Sequence, residues 1–397
     1  MKKEKILSVK RDEFDYILPP EKIAQYPLLK RDESKLLIYQ QGWIISTVFK
    51  NIAEYLPSDS YLIFNNTKVI KARLFFHRPT GAKIEIFCLE PVQDNLWKCF
   101  VGNHSKWKEG IIENEFKFQD SVIRIRAEEV GKFADEFLIR FEWDRKEVKF
   151  GDILEKLGRV PLPPYIRRQD EEIDTIRYQT EYAEIPGSVA APTAGLHFTD
   201  AVFDTLRKKN IDWNFVTLNV GAGTFKPVKV EKVVEHKMHS ENLFVMKKLI
   251  VELLKNRNKV FVSVGTTVLR VLESLYWLAY NIYSGGTKKS DLIVNQFEYL
   301  KFTNINLSFW QAMEILLDFM EKNKQEFLKI STSLMIVPGY EIVSSQAIIT
   351  NFHLPQSTLL MLIAAFIGDD WRKVYRYALD NDFRFLSYGD TSLLFKS

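Results

Sequence analysis

The reading that decides the fold comes from residues 83–143, which contain KIEIFCLE (83–90), LWKCFVG (96–102), EFKFQD (115–120), SVIRIRAEEV (121–130) and EFLIRFEW (136–143). Apolar and polar residues alternate in each with a rough period of two, as on a half-buried strand, and Gly, Asn, Asp or charged residues separate the runs. With no helical periodicity between them, the runs predict a small antiparallel barrel or sandwich. Residues 68–150 are therefore read as an inserted β-barrel domain. Residues 1–67 and 151–397 are read together as one α/β (α+β) main domain. The proline-stiffened GRVPLPPYIRR (158–168) suits the connection between them.

Outward from the barrel, YLIF (61–64) reads as a strand, and NNTKVIKARL after it brings Lys68, Lys71 and Arg73. Beyond the barrel three units share one plan. WNFVTLNV (213–220) ends at Gly221, Gly223 and Thr224, and KVFVSV (259–264) ends at Gly265-Thr266-Thr267 before the helical VLRVLESLYW. AIIT (347–350) ends at Asn351-Phe352-His353, with a helix from about Ser357. Ligands in open α/β sheets gather beyond the carboxyl ends of strands, and a helix start adds free N–H donors, so the three ends should converge on one pocket. Gly221-x-Gly223 lacks the third glycine of a dinucleotide fingerprint. Residues 277–295 read as irregular, and residues 308–329 as an amphipathic helix.

At 397 residues, 46% hydrophobic, 27% charged and a net charge of +4, the chain reads as an ordinary globular protein large enough for two domains. The cationic excess alone does not require nucleic acid, although Arg167-Arg168, Arg207-Lys208-Lys209 and residues 255–259 form local basic clusters. Cys88 and Cys99 lack C-x-x-C spacing, which argues against a zinc knuckle or a disulfide framework. No apolar run follows the basic N-terminal residues, and the longest, residues 358–367, falls short of the ~18 residues a spanning helix needs. A cytoplasmic protein with no membrane partner is expected.

The densest chemistry lies in RYQTEYAEIPGSVAAPTAGLHFT (177–199). It is too poor in large aliphatics to supply a core stripe. It offers Arg177, Tyr178, Gln179, Ser188, Thr193 and His197, with Gly187 and Gly195 permitting close backbone approach. His236-x-x-His239 precedes Ser240 and Glu241 but has no third ligand at familiar spacing, so no metal is expected. Tyr388-Gly389-Asp390 adds a turn carrying a carboxylate.

FNNTKVIKARL, GRVPLPPYI, RYQTEYAEIPGSVAAPTAGLHFT, VGAGTFKPV, HKMHSE, VGTTVLRVLES, TNFHLPQSTLLMLIAAF and RFLSYGD occur in that order, and together the chain resembles the S-adenosylmethionine:tRNA ribosyltransferase-isomerase family of the queuosine pathway. The resemblance runs from LPPEKIAQYPL to the C-terminus. It implies an α/β domain interrupted by a small β-barrel. It also implies an enzyme that moves the ribosyl part of S-adenosylmethionine (AdoMet) onto 7-aminomethyl-7-deazaguanine at the wobble position of tRNA, giving epoxyqueuosine, adenine and methionine. AdoMet would be a co-substrate, with no permanently bound cofactor, and the protein a monomer. A sulfonium acidifies the adjacent C5′ proton, so the reaction needs a base there and an acid near the adenine ring. On this resemblance His197, His239 and His353 would surround the reacting ribosyl group, with Glu241 or Asp390 orienting an imidazole or the amine. Gly221, Gly223, Thr224, Thr266 and Thr267 would hold AdoMet, alongside the polar residues of 177–199 and Asn351. The chain departs from the family pattern at Asn219, where His is usual, and at Gln356, where Lys is usual. A non-catalytic tRNA- or RNA-binding paralogue and an AdoMet enzyme acting on a non-tRNA nucleoside are the alternatives.

Overall fold

The computed structural model describes residues 3–78, 81–107, 110–118, 121–133, 136–221, 223, 228–286, 291–302 and 306–396. In chain order the strands up to the end of the barrel are β1 (Lys35–Gln40), β2 (Trp43–Val48), β3 (Ser60–Asn65), β4 (Thr67–Val69), β5 (Arg73–His77), β6 (Lys83–Gln93), β7 (Leu96–Gly102), β8 (Ile112–Phe118), β9 (Ser121–Phe133) and β10 (Glu136–Trp143). They continue with β11 (Ile185–Ser188), β12 (Asp212–Leu218), β13 (Glu241–Met246), β14 (Val260–Val264), β15 (Ile293–Val294), β16 (Phe327–Thr332), β17 (Ala347–Asn351) and β18 (Thr391–Phe395).

Ten of these form one mixed sheet in the order β15-β16-β13-β12-β3-β14-β17-β18-β1-β2. At its centre β3 runs parallel to both β12 and β14, and β14 runs parallel to β17. Every residue of β3 is buried, as expected of a strand covered on both faces. Tyr61 and Ile63 join one apolar cluster, which includes the helices Thr266–Tyr283, Phe309–Lys322 and Thr358–Ile367. Leu62 and Phe64 join another, under the helix Asp200–Lys208. The parallel directions bring the carboxyl ends of β3, β12, β14 and β17 to one edge. The antiparallel β18 begins there too, with Thr391 opposite Asn351.

The six strands β5-β6-β7-β10-β9-β8 form a second, wholly antiparallel sheet with its own core of Ile84, Ile86, Cys88, Cys99, Ile125, Ile139 and Phe141. Its two outer strands meet where Asn114 Nδ2 donates to the Phe75 carbonyl at 2.8 Å, so the sheet nearly closes into the expected barrel. Cys88 and Cys99 lie opposite each other on β6 and β7 as buried free thiols. Where the chain enters and leaves the barrel, Arg73 and Arg159 exchange main-chain bonds of 3.3 and 2.9 Å.

Two local expectations are corrected. Residues 277–283, read as irregular, complete an 18-residue helix (Thr266–Tyr283) buried on nearly all sides. A helix buried on nearly all sides has little contrast between a core face and a solvent face to betray it. The helix read over 308–329 stops at Lys322, Lys324 adopts a left-handed φ of 52°, and Phe327–Thr332 becomes β16. Among the described residues no helix is long and apolar enough to cross a membrane.

Candidate active site

The shared strand edge opens into three adjoining hollows. The first, of about 880 Å³, is walled mainly by small and apolar groups, including residues 190–194, Val220, Gly265 and Leu386. Its polar groups are Thr193, Thr266, Thr267, Asn351, His353, Tyr165 and Ser387. Thr267 Oγ1 is buried with no hydrogen-bond partner among the described residues, so it holds an unused donor and acceptor. Thr193 Oγ1 donates to Asn351 Oδ1 at 2.7 Å, which aims the Asn351 amide nitrogen at His197 Nε2, 3.4 Å away.

Two imidazoles stand at this edge deep in the protein. Burial pushes His353 down to about 3, and it pairs through Nε2 with Thr350 Oγ1 at 3.0 Å. Burial likewise pushes His197 down to about 4; the Arg31 carbonyl opposes this, and the charges of Arg384, Arg31 and Arg177 add to it. His197 Nδ1 lies 2.7 Å from Ser34 Oγ and 3.2 Å from the Arg31 carbonyl. Near neutral pH both rings are uncharged. They can orient a ligand by hydrogen bonding, but they are not imidazolium acids.

The second hollow, of about 1470 Å³, lies between the barrel and the main sheet and shares Val220 with the first. The barrel contributes Leu89, Glu90, Trp97, Phe100 and Glu136; the connection from β12 to β13 contributes Asn219, Gly221, Gly223 and His239, and β13 contributes Glu241. Here a linear charge relay is built. Glu241 is 2% exposed, yet its carboxyl is held down at about 2: burial opposes ionisation, and Arg270, His239 and the Gly221 amide overcome it. Arg270 Nη1 lies 2.6 Å from Glu241 Oε2, and His239 Nε2 lies 3.1 Å from Oε1. An ionised carboxylate accepts only, so His239 Nε2 is the donor to Glu241 and Nδ1 is the ring nitrogen turned away from it. Gly223 faces this ring so closely that an added Cβ would come within 2.4 Å of its Cγ.

Most of the remaining sequence-derived candidates are engaged within the protein. Arg177 donates to the carbonyls of Leu28 and Leu29 at 2.7 and 2.9 Å and lines the third hollow with His197. Gln179 clamps both main-chain groups of Val69. Tyr178 is buried against Tyr388. Ser188 Oγ donates to the Ala190 carbonyl and accepts from the Val220 amide. Gly195 lies against Tyr182, whose Oη an added Cβ would meet at 1.9 Å. The Asp390 carboxylate accepts from the amides of Lys35 and Arg384 at 2.9 and 2.7 Å and reaches no imidazole. Thr224 lies outside the described residues.

Thr193, Thr266, Thr267, Asn351 and His353 thus share one hollow, and Gly221, Gly223, His239 and Glu241 the next. Among the described residues no cluster of three or more His, Cys, Asp or Glu suited to a metal is present. Sequence reasoning missed Arg270, Arg31 and Arg384. A cation in the predominantly apolar VLRVLESLYW, which also holds Glu273 and Ser274, was the signal available for Arg270.

The model of a family described as queuosine biosynthesis protein matches residues 11–394. A protein from Halothermothrix orenii named S-adenosylmethionine:tRNA ribosyltransferase-isomerase is 38% identical over 97% of this chain and 100% of its own length. A Thermotoga maritima protein of the same name is 38% identical, again over 97% of this chain and 100% of its own length. A solved structure of S-adenosylmethionine tRNA ribosyltransferase from Thermotoga maritima covers 96% of this chain and 99% of that one, with 28% identity and a TM-score of 0.46.

Proposed function

The chain belongs to the queuosine biosynthesis protein family and is an enzyme that transfers and isomerises a ribosyl group from AdoMet to tRNA, and from that premise we propose how its hollows divide the reaction. The AdoMet nucleoside occupies the first hollow, against Thr266, Thr267, Asn351 and His353. The acceptor, 7-aminomethyl-7-deazaguanine at the wobble position of tRNA, enters the second, between the barrel and β13. The ribosyl group is handed over at Val220, which lines both.

The observation that carries this reading is the relay Arg270–Glu241–His239 in the wall of the second hollow. Glu241 fixes the His239 tautomer, so Nδ1 is the base that removes the C5′ proton beside the sulfonium. Neutral His353 and the Thr267 hydroxyl supply hydrogen bonds to the adenine as it departs. The aminomethyl nitrogen gains the ribosyl carbon skeleton, AdoMet loses adenine and methionine, and a proton is released, leaving epoxyqueuosine in the tRNA. The enzyme acts in the cytoplasm as a monomer, with AdoMet consumed and no resident cofactor.

The test is adenine release from labelled AdoMet with tRNA carrying the aminomethyl base. Wild-type protein releases adenine only when the modified tRNA is present, and His239→Gln binds AdoMet but releases about 10²-fold less or lower. Adenine release without the tRNA would favour a free-nucleoside acceptor. Near-normal turnover by His239→Gln would remove the ring from its role.

A further inference from the structure

The third hollow is the smallest of the three, and its wall carries three guanidinium groups, Arg31, Arg177 and Arg384, beside His197. Grouping cations in a partly buried place is costly, and this one is only partly neutralised. Glu181 stands 3.4 Å from Arg31 and is itself solvent-accessible; Asp390 stands 4.0 Å from Arg384, with both carboxylate oxygens already accepting main-chain amides. The guanidinium groups are held instead by carbonyls: Ile176 for Arg31 at 2.7 Å, Leu28 and Leu29 for Arg177, and Tyr26 for Arg384 at 3.2 Å. Carbonyl dipoles position a cation without cancelling its charge. Arg177 Nε, moreover, is buried with no hydrogen-bond partner among the described residues. A guanidinium has five N–H donors in a fixed fork, and a hollow ringed by such forks with donors to spare is prepared for an oxyanion.

The surroundings indicate which oxyanion. Ser387 lines both this hollow and the first, and the hydrogen-bonded series Thr193–Asn351–His197 runs from one to the other. The hollow's other walls include Pro27, Leu196 and Tyr388, which leave room for a compact group at the end of a flexible arm rather than for a polymer backbone. We propose that this hollow binds the α-carboxylate of the methionine arm of AdoMet, with Arg177 and Arg384 as its ligands, while the nucleoside lies in the first hollow. This rests on the AdoMet reading above. It makes these arginines determinants of specificity for AdoMet over sulfonium nucleosides without a carboxylate.

The experiment is calorimetric titration of wild type, Arg177→Gln and Arg384→Gln with AdoMet and with decarboxylated AdoMet, alongside binding of tRNA. Each variant's fold is checked by thermal melting. Arg177 also ties down residues 28 and 29, so Arg384→Gln carries the test if Arg177→Gln unfolds. Wild type should bind AdoMet at least tenfold more tightly than the decarboxylated analogue. The variants should lose about 10- to 100-fold in AdoMet affinity, while affinity for the analogue and for tRNA stays within twofold. Equal losses for both sulfonium ligands would overturn the proposal, as would unchanged AdoMet affinity. A loss confined to tRNA would reassign the hollow to a phosphodiester and overturn it as well. Failure of wild type to bind either sulfonium ligand would instead sink the AdoMet reading on which the proposal stands.

Discussion

Replacing Arg270 with methionine should cost the folded protein about 3 kcal/mol at neutral pH, through Glu241 rather than through lost packing. The Glu241 carboxyl is held at about 2, against an ordinary 4.5. At about 1.4 kcal/mol per pH unit, that difference corresponds to about 3 kcal/mol of stabilisation. Because the folded value lies below the unfolded one, the stabilisation is complete above pH 4.5 and is lost as the pH falls towards 2. Without Arg270, burial prevails and Glu241 takes up a proton in the folded state. A carboxyl whose folded value is raised gains stability as the pH falls, so the gap between variant and wild type should narrow from pH 7 to pH 5. Urea unfolding at half-unit pH steps measures this directly. The double variant Arg270→Met/Glu241→Gln should recover most of the loss, because a buried pair removed whole costs less than one broken. A deficit below about 1 kcal/mol at pH 7, or a gap that stays constant with pH, would refute the assignment of Glu241 as a buried anion.

Two further outcomes follow from the same geometry. Gly223→Ala places a methyl within 2.4 Å of the His239 ring, which must swing away; turnover should fall about 10²-fold while the melting temperature moves by no more than a few degrees, read by adenine release and thermal melting. His353, held at about 3 against an ordinary 6.5, stays neutral in the folded protein while the unfolded chain takes up a proton, so its contribution is full above pH 6.5 and lost as the pH falls. His353→Asn should therefore reduce the slope of stability between pH 5.5 and 4 by about 1.4 kcal/mol per pH unit, and an unchanged slope would show that the ring is not buried neutral.

The barrel was legible because its alternation is local: one face of each strand meets the barrel core and the other meets water, so Ile84, Ile86 and Cys88 declare themselves in the sequence. The helix ending at Tyr283 was not, because burial on nearly all sides removes the contrast on which periodicity depends. At the site, the turns after β12, β14 and β17 were readable from their small and hydroxyl-bearing residues. Their division into adjoining hollows was not, since it depends on how the barrel sits beside β13. Arg270 comes from a helix packed behind the sheet, and Arg31 and Arg384 come from opposite ends of the chain. No spacing rule links them; the register of β1 against β18 and the bridge between Ile23 and Phe385 bring their neighbourhoods together.

The paired main-chain bonds between Arg73 and Arg159 tie the outgoing and returning segments of the barrel side by side. The ends of an excursion of some eighty residues are thereby pinned at a fixed separation, whatever lies between them. Hairpins within that excursion can lengthen or shorten over generations without transmitting strain to β3 or β12, because the closure cost of a longer loop grows only logarithmically. The main sheet can thus remain constant while the opposing wall of the second hollow, the one our proposal gives to the tRNA base, is remodelled.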